Sequence, residues 1–100
     1  MKAANSTQGA NTPSIVTSGG EVITAGSKYS WSIQNVGQNP IFIRLGGTAS
    51  DAVFHYVLKG GTADSDGLGG SISQEGSSVF TGSISIAGTT PKVVITVLGV

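Results

Sequence analysis

A strict alternation runs through Tyr29-Ser30-Trp31-Ser32-Ile33-Gln34-Asn35. Tyr29, Trp31 and Ile33 fall on one parity, and Ser30, Ser32 and Gln34 on the other. Successive side chains of an extended chain point to opposite faces, so a period of two is the mark of a half-buried strand. Comparable short runs recur along the chain, punctuated by Gly-rich turns. That rhythm predicts an all-β domain, an antiparallel β-sandwich or small jelly roll. No run suits a helix longer than one turn, because glycine or a β-branched residue interrupts each candidate.

The expected strands are 14–17, 21–24, 29–35, 41–45, 52–58, 71–73, 77–80, 83–87 and 92–98. Gly37-Gln38-Asn39-Pro40 reads as a turn that returns Ile41-Phe42-Ile43-Arg44-Leu45 as the antiparallel partner of 29–35. Ile41, Ile43 and Leu45 would then lie beneath Trp31. In 52–58, Phe54, Tyr56 and Leu58 share the expected core face, and His55 faces the other way. The expected core is Trp31, Ile33, Ile43, Phe54, Tyr56, Ile86 and Ile95. The last run, Val93-Val94-Ile95-Thr96-Val97-Leu98, is apolar on both faces. It should be a central strand, or one whose outer face a second subunit covers. Residues 1–12 are small, polar and aperiodic and read as a flexible N-terminal arm, with residues 13–100 as the sandwich.

Charged residues are 10% of the chain, and five Lys+Arg balance five Asp+Glu. Ordinary soluble domains carry roughly 25%. Such a surface neither draws nucleic acid nor an anionic membrane over long range, and it does little to repel copies of itself. There is no cysteine, hence no disulfide, thiolate metal site or Cys nucleophile. No apolar segment follows the charged start, so no signal peptide is expected, and synthesis in a cytoplasm without Sec export follows.

Catalytic and ligand motifs are sparse. His55 is the one histidine, and Asp51 lies four residues before it, too far along an extended strand to orient the ring. The expectation is therefore not an enzyme, with no catalytic residue, no cofactor and no transition-metal site. Asp64, Asp66, Gly69 and Glu75 fall at positions one, three, six and twelve of an EF-hand spacing. Leu68 stands at position five without a side-chain oxygen, and the flanks are β-like, so a plain Gly/Asp turn without calcium is expected. Gly26-Ser27-Lys28 and Gly67-Leu68-Gly69-Gly70 fit no nucleotide-binding pattern. Asn5-Ser6-Thr7 matches a glycosylation sequon only formally, without a secretory signal. Trp31 on an alternating strand reads as core rather than as a sugar-stacking platform. Arg44 beside Phe42 on an outward face reads equally as a solvated side chain or as a subunit contact.

Beyond these residue-level readings, the stretch Trp31-Ser32-Ile33-Gln34-Asn35-Val36-Gly37 followed by Asn39-Pro40-Ile41-Phe42-Ile43-Arg44-Leu45-Gly46-Gly47-Thr48-Ala49 resembles a pattern of small structural proteins of tailed bacteriophages. The likeness continues through Phe54-His55-Tyr56-Val57-Leu58-Lys59-Gly60-Gly61, Asp66-Gly67-Leu68-Gly69-Gly70 and Phe80-Thr81-Gly82-Ser83-Ile84-Ser85-Ile86-Ala87-Gly88-Thr89, covering residues 29–100. Within that group the resemblance is to capsid decoration, or cement, proteins. It implies a small β-sandwich, commonly trimeric, on the outer face of the virion capsid. There it would clamp neighbouring units of the major capsid protein, with an arm that reaches an adjacent subunit. The candidate subunit or capsid contacts are Ala3, Asn5 and Thr7 of the arm, with Phe42, Arg44, Val94 and Leu98. Phe42 is expected to add to the same patch as the outer face of the last strand. The competing reading is a carbohydrate- or receptor-binding β-sandwich of a tail or head fibre, since one fold serves both. Buried Trp31 and Tyr29 would favour the first, and exposed aromatics on a concave face the second.

Overall fold

The computed structural model describes residues 13–99. Eight strands follow one another: β1 (Ser14–Val16), β2 (Gly20–Ile23), β3 (Lys28–Asn35), β4 (Ile41–Leu45), β5 (Tyr56–Leu58), β6 (Ser71–Glu75), β7 (Ile84–Ala87) and β8 (Val93–Gly99). They form two four-stranded sheets, ordered β1-β8-β3-β6 and β2-β7-β4-β5. Every pairing is antiparallel. The fold is an all-β sandwich, as the alternation predicts. The expected strand at 77–80 is replaced by a 3₁₀ turn at Gly76–Ser78.

The inward parity of each sheet supplies the core. Trp31, Ile33, Val93 and Ile95 come from the first sheet, and Ile23, Ile41, Ile43, Leu58, Ile84 and Ile86 from the second, in one buried cluster. Burying an isoleucine side chain is worth about 1.5–3 kcal/mol, so this layer is the main source of stability. β8 lies between β1 and β3 and is a central strand, as its two apolar faces require. Its outward residues Val94, Thr96 and Leu98 are half-buried.

Four expectations are corrected. First, β3 and β4 do not form a hairpin, because they belong to opposite sheets. Both edges of β3 are already taken: Trp31 is paired with Gln74 on β6 and with Val97 on β8. Residues 36–40 therefore cross between the layers, and Ile41 and Ile43 meet Trp31 from the facing sheet. Leu45, at the end of β4, is only half-buried.

Second, Tyr29 is 41% exposed, so of the two aromatics whose burial would favour a decoration protein only Trp31 is buried. A β-bulge between Lys28 and Ser30 shifts the parity of β3 at its start. Lys28 takes the inward position and is buried, and its Nζ donates to the Gly26 carbonyl at 2.6 Å. The aliphatic stem of a lysine can line an apolar layer while its ammonium stays hydrogen-bonded.

Third, Phe54 and Tyr56 lie outside the core, 40% and 37% exposed. Pairing with β4 begins only at Tyr56, so 52–55 is not strand and Leu58 alone of that run reaches the interior. Fourth, Phe42 and the outer face of β8 cannot share a patch. β4 and β8 lie in different sheets, so their outward residues face away from each other.

Candidate interaction surface

The outer face of the sheet β2-β7-β4-β5 carries a built apolar surface. Phe42 is outward on β4 because Ile41 and Ile43 are both buried. Its ladder neighbours are Ala87 on β7 and Val57 on β5. Phe54 packs on Phe42 with ring centroids 5.0 Å apart and planes tilted by 51°. That geometry is within the favourable range for an aromatic pair. Val53 and Val57 are 48% and 51% exposed. Val53, Phe54 and Val57 therefore stand exposed at the surface around Phe42, which Phe54 partly covers.

Polar contacts hold this surface in place. Ser85 of β7 is outward by parity yet buried, because the segment after β4 crosses over it. Its hydroxyl accepts from the Ala49 N–H at 2.8 Å and donates to the Gly47 carbonyl. Ser50 and Val53 exchange backbone hydrogen bonds, and the Ser50 Oγ accepts from Ala52 and Val53. That closed turn projects Val53 and delivers Phe54 to Phe42. The His55 N–H donates to the Ile43 carbonyl at 2.7 Å, and the Leu45 N–H donates to His55 Nδ1 at 3.0 Å. With Nδ1 accepting, the ring proton sits on Nε2. His55 thus ties the segment to β4.

Arg44 lies on the same outer face and is half-buried. Its Nη1 donates to the Thr48 carbonyl at 3.2 Å, and its guanidinium fills the space where a Gly47 side chain would be. Beside Phe42, a groove of about 480 Å³ runs between Pro40, Ala49, Asp51 and Ala87. Val94 and Leu98 occupy the opposite outer face, where Val94 neighbours the exposed Ile15, and Leu98 neighbours Ser30. Ala3, Asn5 and Thr7 lie outside the described residues.

The acidic segment has a different construction from the one its spacing suggests. Asp66 binds its own loop: its carboxylate accepts from the backbone N–H groups of Thr62, Ala63 and Leu68 and from the Thr62 hydroxyl. The Leu68 and Ala63 donors, then the Thr62 hydroxyl, hold the Asp66 carboxyl at about 2, below the usual 3.8. Asp64 turns away to Gln38 and Lys92, and Glu75 ends β6 opposite Ser30. Among the described residues no three His, Cys, Asp or Glu side chains gather as a metal site, and no helix is long and apolar enough to cross a membrane.

Sequence reasoning singled out Phe42 and Arg44 but placed Phe54 in the core and gave no role to Val53 or Val57. The missed signal is in 52–58, where large apolar residues stand on both parities around His55, more than one sheet edge can bury, and Val53, Phe54, Tyr56 and Val57 are all left exposed. Comparison with known proteins found no matching family model, no matching curated protein and no matching solved structure.

Proposed function

We propose that this chain is a capsid decoration protein of a tailed bacteriophage, a homo-oligomer that sits on the exterior of the virion and stabilises it through subunit and major-capsid-protein contacts. The observation that carries this reading is the apolar cluster of exposed Val53, Phe54 and Val57 around half-buried Phe42, on a surface with few charges. Exposed aromatics in a contiguous apolar patch mark association surfaces, and a neutral surround does not oppose close approach. The sandwich beneath it provides a stiff platform. The resemblance of residues 29–100 to phage structural proteins supports the virion setting and supplies the trimer. Residues 1–12 would act as the arm, and Arg44, Val94 and Leu98 as further contacts.

The test uses heads of the phage that carries this gene, prepared without its product. Purified protein is added and co-sedimented, and the loaded heads are imaged by electron microscopy. Saturable binding at regular capsid positions is expected, with heat resistance of the heads increased. Phe54→Asp should abolish binding while leaving the fold intact, since Phe54 is outside the core. Failure of the native protein to co-sediment would overturn the reading.

A further inference from the structure

The crossover between the sheets and the turn before β8 flank an open cleft of about 530 Å³ that contains none of the four patch residues. Gln38, Asn39, Asp64, Thr90, Pro91 and Lys92 line it. Its polar groups are held in place by bonds to one another. Gln38 Nε2 donates to Asp64 Oδ1 at 3.1 Å, and Lys92 Nζ stands 3.7 Å from Asp64 Oδ2. The Asn39 amide donates to the Thr89 carbonyl at 3.0 Å and to Thr90 Oγ1 at 2.8 Å. The Asp64 and Lys92 side chains remain 53% and 33% exposed, so both can still reach a ligand.

The chemistry of this lining selects a ligand class. One carboxylate and one ammonium cancel, so the cleft carries no net charge to favour a phosphate or a metal cation. What it offers is the remaining capacity of these groups: further lone pairs on the Asp64 carboxylate, which Gln38 and Lys92 already use in part, beside spare ammonium donors and hydroxyls that do both. Vicinal hydroxyl groups each donate and accept, and they match that alternation. The Pro91 ring adds an apolar wall for a C–H face. A few convergent polar groups in a concave site are the usual means of orienting a small ligand.

The backbone around the cleft is also unusual. Thr90 has φ +42° and Ser65, next to Asp64, has φ +57°. They are the only non-glycine residues with positive φ among those described. A β-branched residue is a marked outlier there, and such conformations cluster where a site's geometry is fixed by its surroundings. The Asn39 amide holds Thr90, and the Ser65 N–H donates to the Val36 carbonyl at 2.7 Å.

We propose that this cleft is a binding site for a neutral saccharide, held through Gln38, Asp64 and Lys92. It is a second activity, separate from capsid association, and it would let a surface-bound chain adhere to glycans. The test is a titration of the ¹⁵N-labelled protein with glucose, galactose, N-acetylglucosamine and maltose to tens of millimolar, followed by amide shifts. Inorganic phosphate and calcium chloride are titrated in parallel. At least one sugar should shift the amides of Gln38, Thr90 and Lys92 saturably, with a millimolar Kd. Asp64→Asn and Lys92→Met should each weaken that binding by about tenfold, with the remaining amide spectrum unchanged. The proposal is overturned if no sugar gives a saturable shift, if the shifts fall elsewhere, if both variants bind as the native chain does, or if phosphate or calcium shifts the same amides at lower concentration. None of these readouts depends on capsid binding, so this inference and the decoration reading fail separately.

Discussion

At Asn35 a single side chain stitches three parts of the fold together. It is 1% exposed, its Nδ2 donates to the carbonyls of Asn39, Leu58 and Lys59, and its Oδ1 accepts from the Gly37 N–H. Those partners belong to the crossover and to the end of β5, so the amide binds one sheet to the other. A buried polar group stripped of its partner costs more than the bond itself was worth. Asn35→Ala should therefore lower stability by about 2–4 kcal/mol, read as a lower urea midpoint. A loss under about 1 kcal/mol would show that water replaces the amide. Trp31 tests the core from the other side. It is 1% exposed, and its Nε1 has no hydrogen-bond partner. As the one tryptophan it reports its own surroundings, and native emission should be that of an indole shielded from water. Trp31→Ala should cost about 3–5 kcal/mol. Asp66 gives a test by pH. Its folded value of about 2 lies below the unfolded 3.8, so the stability it supplies is present above pH 3.8 and fades as pH falls toward 2. The amides of Ala63 and Leu68 should titrate across that window, and Asp66→Asn should remove the titration. If their midpoint lies near 4, the N–H donors do not hold the carboxylate.

The segment between β4 and β5 is held to its sheet by Ser85, and the apolar surface depends on that tether. Ser85→Ala removes the acceptor for the buried Ala49 N–H and the donor to Gly47. A cost of about 1–3 kcal/mol is expected, together with faster amide exchange at Ala49 and Val53. Exchange unchanged at both would show that the segment is held without Ser85. The elements differ in how far the sequence revealed them. β3 was legible because Trp31 and Ile33 alternate with Ser30, Ser32 and Gln34, and β4 and β8 because Ile41-Phe42-Ile43 and Val93-Val94-Ile95 are short β-branched and aromatic runs between turn residues. Their partners were not, since alternation sets which face is buried and says nothing about which edge is paired. Gln38-Asn39-Pro40 has the composition of a tight turn, yet the Asn35 amide uses the Asn39 carbonyl to send the chain across the sandwich. Tyr29 was misread because one bulge reverses parity without leaving a trace in the pattern. The Gly-rich loop was also only half legible. A side chain at Gly69 would collide with the Asn35 carbonyl, and one at Gly60 with Gln38. Those glycines mark close packing against the crossover, beyond the needs of a turn. Phe42 and Arg44 were legible as surface residues, whereas the cleft around Asp64 and Lys92 joins positions 28 residues apart through pairing that no local pattern encodes.

For the molecule as a whole, the proposed assembly turns on which outer face would meet a partner. The two candidates are chemically different. Beneath Phe54 the outer surface is aromatic and aliphatic, with Val53 and Val57 exposed. On the opposite sheet, half-buried Val94 and Leu98 are interleaved with Thr96 and flanked by Ser30, Ser32 and Gln34 on β3, and among the described residues Ile15 and Tyr29, on separate strands, are its exposed large hydrophobics. Dehydrating hydroxyls and an amide returns less than dehydrating phenyl and isopropyl groups, because the polar groups must find new partners. Association is therefore expected through the Phe42–Phe54 face. A stable interface takes about 800 Å² from each partner, which asks that face and neighbouring segments to act together. Light scattering at micromolar concentration should give the mass of three chains. Val57→Asp places a charge in the contact while disturbing nothing buried, so it should reduce the mass to one chain and leave the urea midpoint of the dissociated chain unaltered. Ile15→Asp does the same chemistry on the other face and should leave the assembly whole. A native mass of one chain would remove the oligomer. Dissociation by Ile15→Asp instead of Val57→Asp would move the interface to the sheet that carries Val94 and Leu98.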